Sequence, residues 1–225
     1  MILFDDVSKK YSIRVTALDS INLKIETGEF IFLVGQSGAG KTSMLKLISR
    51  EIIPSKGSVF VDDLEVNKLP DGQLPYLRRR VGFVFQDFKL LSDRTVSENI
   101  AVALEILGKP SREIDTRTKE VLEMVNLVGK GNNFPKQLSF GEAQRVAIGR
   151  AIAGETRVLL ADEPTGNLDP TNSWEILKII NEINKAGTTI VMATHNVDIV
   201  NSMKKRVVHL ENGKIDRDEK KSKYS

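Results

Sequence analysis

The sequence predicts an α/β fold in which a largely parallel sheet follows a β-rich N-terminal part and is interrupted by an inserted helical lobe. Three observations predict it. In the last third, short apolar runs alternate with a helical pattern, as strands and crossover helices do. The apolar run Phe30-Ile31-Phe32-Leu33-Val34 leads into a glycine-rich loop and then a helix. Between these regions, in residues 87–155, apolar residues recur at spacings of three and four instead of two.

In chain order, Ile2-Leu3-Phe4-Asp5-Asp6-Val7 and the alternating Ile21-Asn22-Leu23-Lys24-Ile25 read as strands. So does Ser58-Val59-Phe60-Val61-Asp62, with turn signals at Thr27-Gly28-Glu29 and Pro54-Ser55-Lys56-Gly57. Val81-Gly82-Phe83-Val84-Phe85 is a short strand that delivers Gln86 at its end. Residues 96–107 and 116–128 read as helices, broken by Gly108-Lys109-Pro110. Strands then return at Arg157-Val158-Leu159-Leu160-Ala161, Thr188-Thr189-Ile190-Val191-Met192-Ala193 and Arg206-Val207-Val208-His209-Leu210. A helix at 171–185 carries the stripe Trp174, Leu177, Ile180 and Ile183, which packing into the core explains. One domain over 1–225 accommodates all of this: a core from 1–86 and 156–215, the lobe at 87–155, and a polar tail at 216–225.

Composition narrows the function classes. With 225 residues, 40% of them apolar, the chain buries one sizeable core. No run of about 18 apolar residues and no charged-then-apolar leader is present, so the expected location is the cytoplasm. The absence of cysteine excludes disulfides and thiolate metal sites. A net charge of +3 is too small to argue for nucleic acid, and the run Lys220-Lys221-Ser222-Lys223 reads as a solvated tail.

The segment Gly35-Gln36-Ser37-Gly38-Ala39-Gly40-Lys41-Thr42 fits the phosphate-binding pattern G-x-x-x-x-G-K-[ST] at every fixed position, and Ser43 continues it into the helix. Small side chains let successive backbone N–H groups and the helix N-terminus face phosphate oxygens. Lys41 supplies a fixed charge to the β and γ phosphates, and the Thr42 hydroxyl is placed for magnesium. A second apolar run ends in Asp162-Glu163, 121 positions beyond Lys41. Asp162 at the strand tip suits magnesium; Glu163, one residue further, suits accepting a proton from attacking water.

Leu138-Ser139-Phe140-Gly141-Glu142-Ala143-Gln144-Arg145 resembles the signature segment of ATP-binding cassette (ABC) ATPases, and other family motifs stand in order around it. The resemblance covers nearly the whole chain and implies a P-loop NTPase (RecA-like) core with an antiparallel N-terminal β subdomain. It implies ATP as the nucleotide, Tyr11 as the adenine-stacking residue, Gln86 as a magnesium-side and catalytic Q-loop residue, Asp169 in a D-loop, and His195 as the γ-phosphate sensor. It further implies an ATP-dependent homodimer. There Ser139 and Gly141 touch the γ-phosphate of the opposite subunit, while Lys41, Thr42, Gln86, Asp162, Glu163 and His195 act in cis.

Within the family, Gly166-Asn167-Leu168-Asp169 resembles the branch of lipoprotein-release, macrolide-export and FtsE-type cell-division ATPases. Phe85-Gln86-Asp87-Phe88-Lys89-Leu90-Leu91 with Asp93-Arg94-Thr95-Val96-Ser97-Glu98-Asn99 most resembles the cell-division branch. That branch implies a bacterial peripheral subunit on the cytoplasmic face, paired with an FtsX-like membrane protein and regulating peptidoglycan hydrolases. Lipoprotein release or macrolide efflux is the alternative. The segment after Gln86, with Phe88, Leu90 and Leu91, is the expected partner surface. A GTPase is disfavoured because Asn67-Lys68-Leu69-Pro70 and Asn184-Lys185-Ala186-Gly187 lack the guanine-reading aspartate. A cassette acting on DNA or ribosomes is disfavoured by the chain's length.

Phe140 stands where the signature usually has glycine, and Glu142 and Ala143 also depart from the common pattern. The expectation is tolerance with modest ATPase activity. A Phe140→Gly variant is therefore not expected to turn over more than about a hundredfold faster, about 2.7 kcal/mol of barrier, when phosphate release is measured.

Overall fold

The computed structural model describes residues 1–12 and 15–220. The basic run read as a tail lies outside the described residues from Lys221 onward. In chain order the strands and helices are β1 (Ile2–Ser12), β2 (Val15–Ile25), β3 (Phe30–Val34), α1 (Lys41–Ile48), β4 (Lys56–Val61), β5 (Leu64–Glu65) and α2 (Leu74–Arg80). Then follow β6 (Val81–Val84), α3 (Val96–Ile106), α4 (Ser111–Met124), α5 (Phe140–Ile152), β7 (Val158–Asp162) and α6 (Pro170–Lys185). The chain closes with β8 (Thr189–Ala193), α7 (Val197–Met203), β9 (Arg206–Glu211) and β10 (Lys214–Glu219).

Two sheets result. The central one has the order β10-β9-β3-β8-β7-β6, parallel except for β10, and the other is an antiparallel β2-β1-β4-β5 sheet from the N-terminal part. The apolar runs are unbroken because both faces of the central sheet are covered. Side chains alternate between two cores. Phe30, Phe32, Leu159, Ala161, Ile190 and Met192 face the core built with α3 to α6, whereas Ile31, Leu33, Val158, Leu160, Val191 and Ala193 face the core shared with α1 and the antiparallel sheet. The helical lobe has no separate core: Val96, Ile100 and Leu104 of α3, Val121 of α4, and Val146 and Ile152 of α5 join the first of these clusters.

Three expectations need correction. Residues 216–219, expected in a polar tail, belong to β10, which pairs antiparallel with β9 from Lys214↔Glu211 to Glu219↔Val207. This edge strand is polar because it is exposed. Its register is pinned by the backbone ladder and by Arg206, whose guanidinium donates to both carboxylate oxygens of Asp218 at 2.7 Å. The second helix of the lobe begins at Ser111 and not near 116, since its first turn is polar and carries no apolar period. On α6, Leu177, Ile180 and Ile183 are buried together with Ile176 and Ile179, but Trp174 is 39% exposed at the helix's first turns, beyond the edge of the buried face.

Gly82 in β6 exists for close approach: a Cβ there would lie 2.4 Å from the Ala151 carbonyl oxygen at the end of α5. Gly82→Ala is expected to destabilise the fold by about 1–3 kcal/mol through overpacking. The check is a lower urea midpoint with an unchanged m value.

Candidate nucleotide site

Parallel strands end together, and their C-terminal ends form a crevice where the strand order reverses. Here β3 runs into the glycine loop, β6 into Gln86, β7 into Asp162 and Glu163, and β8 into Thr194 and His195. These ends line a cleft of about 740 Å³, whose far wall is Tyr11 and residues Val15, Thr16 and Ala17 of β2. The sequence pattern did not single out the β2 residues. They carry no motif and arrive only through the pairing of β1 with β2.

The loop is shaped by its glycines. Gly35 has φ 142°, and a Cβ on it would sit 2.2 Å from the Leu210 carbonyl oxygen; Gly40 caps α1 at φ 111° and packs against Ala17 and Leu18. The α1 N-terminus thus opens into the cleft with the positive end of its dipole. Lys41 is 9% exposed, and its ammonium donates to the Gly35 and Gln36 carbonyls at 2.7 and 3.1 Å, so the charge is held over the loop. Ser43 meets the Tyr11 hydroxyl at 3.2 Å, which ties the aromatic ring to the helix start while leaving it 54% exposed.

Across the cleft, the Thr42 hydroxyl donates to the Asp162 carboxylate at 2.9 Å. Burial pushes the Asp162 carboxyl above the usual range, and the Glu163 charge adds to this, against the Thr42 hydrogen bond and the Lys41 charge. The two oxygens fit magnesium, which takes hard ligands and is usually completed by substrate phosphates and water. No group of three or more His, Cys, Asp or Glu able to hold a metal occurs among the described residues, so the chain itself offers no closed cage.

Glu163 sits just beyond β7 with φ 48°, a left-handed conformation that costs a non-glycine residue about 1–2 kcal/mol. Its N–H donates to Ala193 O and its carbonyl accepts from Gly166 N, both at 3.0 Å, and these bonds hold the conformation. Its carboxylate lies 2.9 Å from Nδ1 of His195. The carboxylate is 14% exposed and the imidazole 68%, so the histidine covers the acid from the solvent side.

Ser139, Gly141 and Asp169 do not line this cleft. Ser139 caps α5: its hydroxyl oxygen accepts from Glu142 N at 3.2 Å, and the Glu142 carboxylate accepts from Ser139 N at 2.8 Å. The hydroxyl proton stays available to an outside acceptor. A Cβ on Gly141 would meet Asn172 Oδ1 at 2.5 Å, and Asn172 Nδ2 donates to Asp169 at 2.5 Å. The signature segment and the D-loop are therefore joined through Asn172. No sequence signal marked this residue beyond its place three positions after a helix N-cap.

The geometry defines a class: an α/β protein of P-loop NTPase type, with a glycine loop at a helix N-terminus and an acid pair in the same cleft. The ABC transporter family model matches residues 18–166. The cell division ATP-binding protein FtsE of Bacillus subtilis (strain 168) is 50% identical over 224 residues, covering 100% of this chain and 98% of the relative. FtsE of Escherichia coli (strain K12) is 43% identical over 215 residues, covering 96% and 97%. Among solved structures, the dimeric post-hydrolysis state of the ATP-binding cassette MJ0796 bound to ADP and Pi superimposes with a TM-score of 0.90 at 34% identity, covering 100% of both chains. The chain belongs to the ABC transporter family and is an ATP-binding, ATP-hydrolysing cassette. No helix among the described residues is long and apolar enough to cross a membrane.

Asp162 carries a testable cost. Its native carboxyl holds a proton more tightly than the unfolded chain does, so its charge lowers stability as pH rises through the carboxylate range, and the cost persists at neutral pH. Asp162→Asn keeps an acceptor for Thr42 and removes the charge. The variant is expected to melt at a higher temperature than the parent at pH 7 without nucleotide, and to lose about 10²- to 10³-fold in phosphate release.

Proposed function

We propose that this chain is the ATPase subunit of a bacterial FtsE/FtsX-type cell-division complex, in which two copies close around two MgATP and transmit closure through a membrane partner to regulate peptidoglycan hydrolysis. The observation that carries the reading is end-to-end identity of 50% with the FtsE of Bacillus subtilis, together with the cleft at the strand ends. A dimer is supported by the likeness to the dimeric cassette and by the position of Ser139 and Gly141 off the chain's own cleft.

In this reading Tyr11 stacks on adenine, and residues Gly35 to Ser43 cradle the phosphates with backbone N–H groups. Lys41 neutralises the β and γ oxygens. Thr42 and Asp162, with the Gln86 amide oxygen, would hold magnesium, which when bound offsets phosphate charge. Glu163 accepts the proton of the attacking water as its oxygen bonds to the γ phosphorus and the bond to ADP breaks, giving ADP and phosphate. His195, bonded to Glu163, orients that carboxylate and contacts the γ-phosphate. Ser139 and Gly141 of the other copy donate to the same phosphate.

The membrane partner docks at the segment after Gln86. Leu90 packs into the shared core, whereas Leu91 is 40% exposed. Lys89 and Arg94 extend beside it, paired with Asp87 and Glu98. Charge reversal at both Lys89 and Arg94 is expected to reduce membrane recruitment, read by fractionation of host cells.

Glu163→Gln keeps the shape and the His195 contact but removes the base. It is expected to lower kcat by about 10²- to 10⁴-fold and to trap an ATP-bound dimer on size exclusion with light scattering. Tagged Glu163→Gln protein, isolated with ATP from detergent-solubilised host membranes, is expected to bring down one small FtsX-like subunit. A lipoprotein-release or efflux permease in its place would keep the ATPase chemistry and overturn the cell-division role.

A further inference from the structure

Two residues beyond Gln86 the backbone turns through consecutive non-glycine residues in the left-handed region, Phe88 at φ 58° and Lys89 at φ 50°. Such a pair persists only where the surroundings over-determine it. Local bonds close the turn, from Phe88 N to Phe85 O at 3.3 Å and from Lys89 N to Asp87 O at 2.6 Å, and two residues of α5 hold it from outside. Arg150 donates from Nη2 to the Phe88 carbonyl at 2.8 Å and from Nη1 to the Lys89 carbonyl at 2.6 Å. A planar guanidinium fork suits two neighbouring acceptors. At the other end of α5, the Phe140 ring meets the Phe88 ring edge to face, 4.5 Å between centroids and 68° between planes.

Phe140 is the residue that departs from the family's glycine. Its ring does not lie over the cleft; it turns along its own chain onto the Q-loop turn, with 48% of the residue still exposed. The same helix thus carries Ser139 and Gly141 at its start and grips, through Phe140 and Arg150, the turn that follows Gln86. Gln86 lines the chain's own cleft and the signature residues do not.

We infer that Arg150 and the Phe88–Phe140 ring pair are positioning groups that lock the turn after Gln86 to the signature helix, so that the segment serving one nucleotide and the segment serving the other move as one body. The consequence between two sites rests on the two-copy reading above; the lock itself lies within one chain. Nucleotide affinity comes from Tyr11, the glycine loop and Lys41, which the lock does not touch, so its loss acts on turnover and spares binding.

The test is a double-mutant cycle on the full chain with Phe88→Leu, Phe140→Leu and the pair together, both positions being partly exposed and replaceable without opening the core. Each single variant is expected to lower kcat for MgATP about tenfold while KM stays within about threefold. The double variant is expected to be no slower than the slower single, a coupling of about 1.4 kcal/mol from the tenfold change. Arg150→Lys, which keeps the charge and loses the fork, is expected to show the same split of kcat from KM. Singles that leave kcat unchanged, or a double variant slowed by the product of the two, would overturn the lock. Size exclusion of Glu163→Gln with ATP is run beside the cycle. A dimer with an additive cycle sinks the lock alone, and a coupled cycle in a persistently monomeric protein sinks the two-copy reading alone.

Discussion

The parallel register of the central strands is the constraint on which the rest of this molecule depends. Asp162 is paired with Ala193, Val34 with His209, and the Thr194 N–H donates to Leu33 O across the same line. A slip of two residues in any one strand would carry its terminal side chain about 7 Å along the sheet, more than twice the length of the hydrogen bonds that join Thr42 to Asp162 and Glu163 to His195. A slip of one would send a face of buried residues to the wrong core. Packing of two separate apolar cores therefore fixes the distance between the charged groups at the strand ends.

Around that frame the cleft concentrates features that lower stability. Burial disfavours the charged form of Asp162, Glu163 is held in a left-handed conformation, and Lys41 is almost fully covered. Each is tolerable because neighbouring groups are fixed by the sheet: Thr42 donates to Asp162, Ala193 and Gly166 bracket Glu163, and two loop carbonyls accept from Lys41. The arrangement matches what phosphoryl transfer asks of a protein, namely preset dipoles and charges in a partly dry site.

The helical lobe is tied to the sheet by buried polar side chains as well as by its apolar core. Asn99, fully buried, accepts from Leu91 N and donates to the carbonyls of Leu91, Arg94 and Thr95, which folds the segment after the Q-loop onto α3. Arg145 meets Glu175 at 2.6 Å and joins α5 to α6. Together with Arg150 and Asn172, these contacts make the lobe's inner edge a set of directional links among α3, α5, α6 and the segment after Gln86. Apolar packing alone would fix the lobe's position and leave that segment free to turn.

Much of the fold and site was legible in the residues because local rules wrote it there. Buried parallel strands must be apolar on both faces, so Phe30-Ile31-Phe32-Leu33-Val34 announces itself, and a phosphate loop needs glycine at fixed places, so 35–42 does too. The strand β10 stayed hidden because an exposed edge strand has no apolar alternation, and the polar first turn of α4 has no period to read. The roles of Asn172 and Arg150 were equally silent, since each reaches a residue far along the chain through a contact that composition does not encode. Which chemical groups are present and which local conformations their loops adopt follow from the order of residues, because those depend on neighbours in the chain. That Glu163 meets His195, that Phe140 leans on Phe88, and that Ser139 lies away from the chain's own cleft emerge from folding alone, because these distances follow from sheet register and helix packing between segments with no local rule linking them.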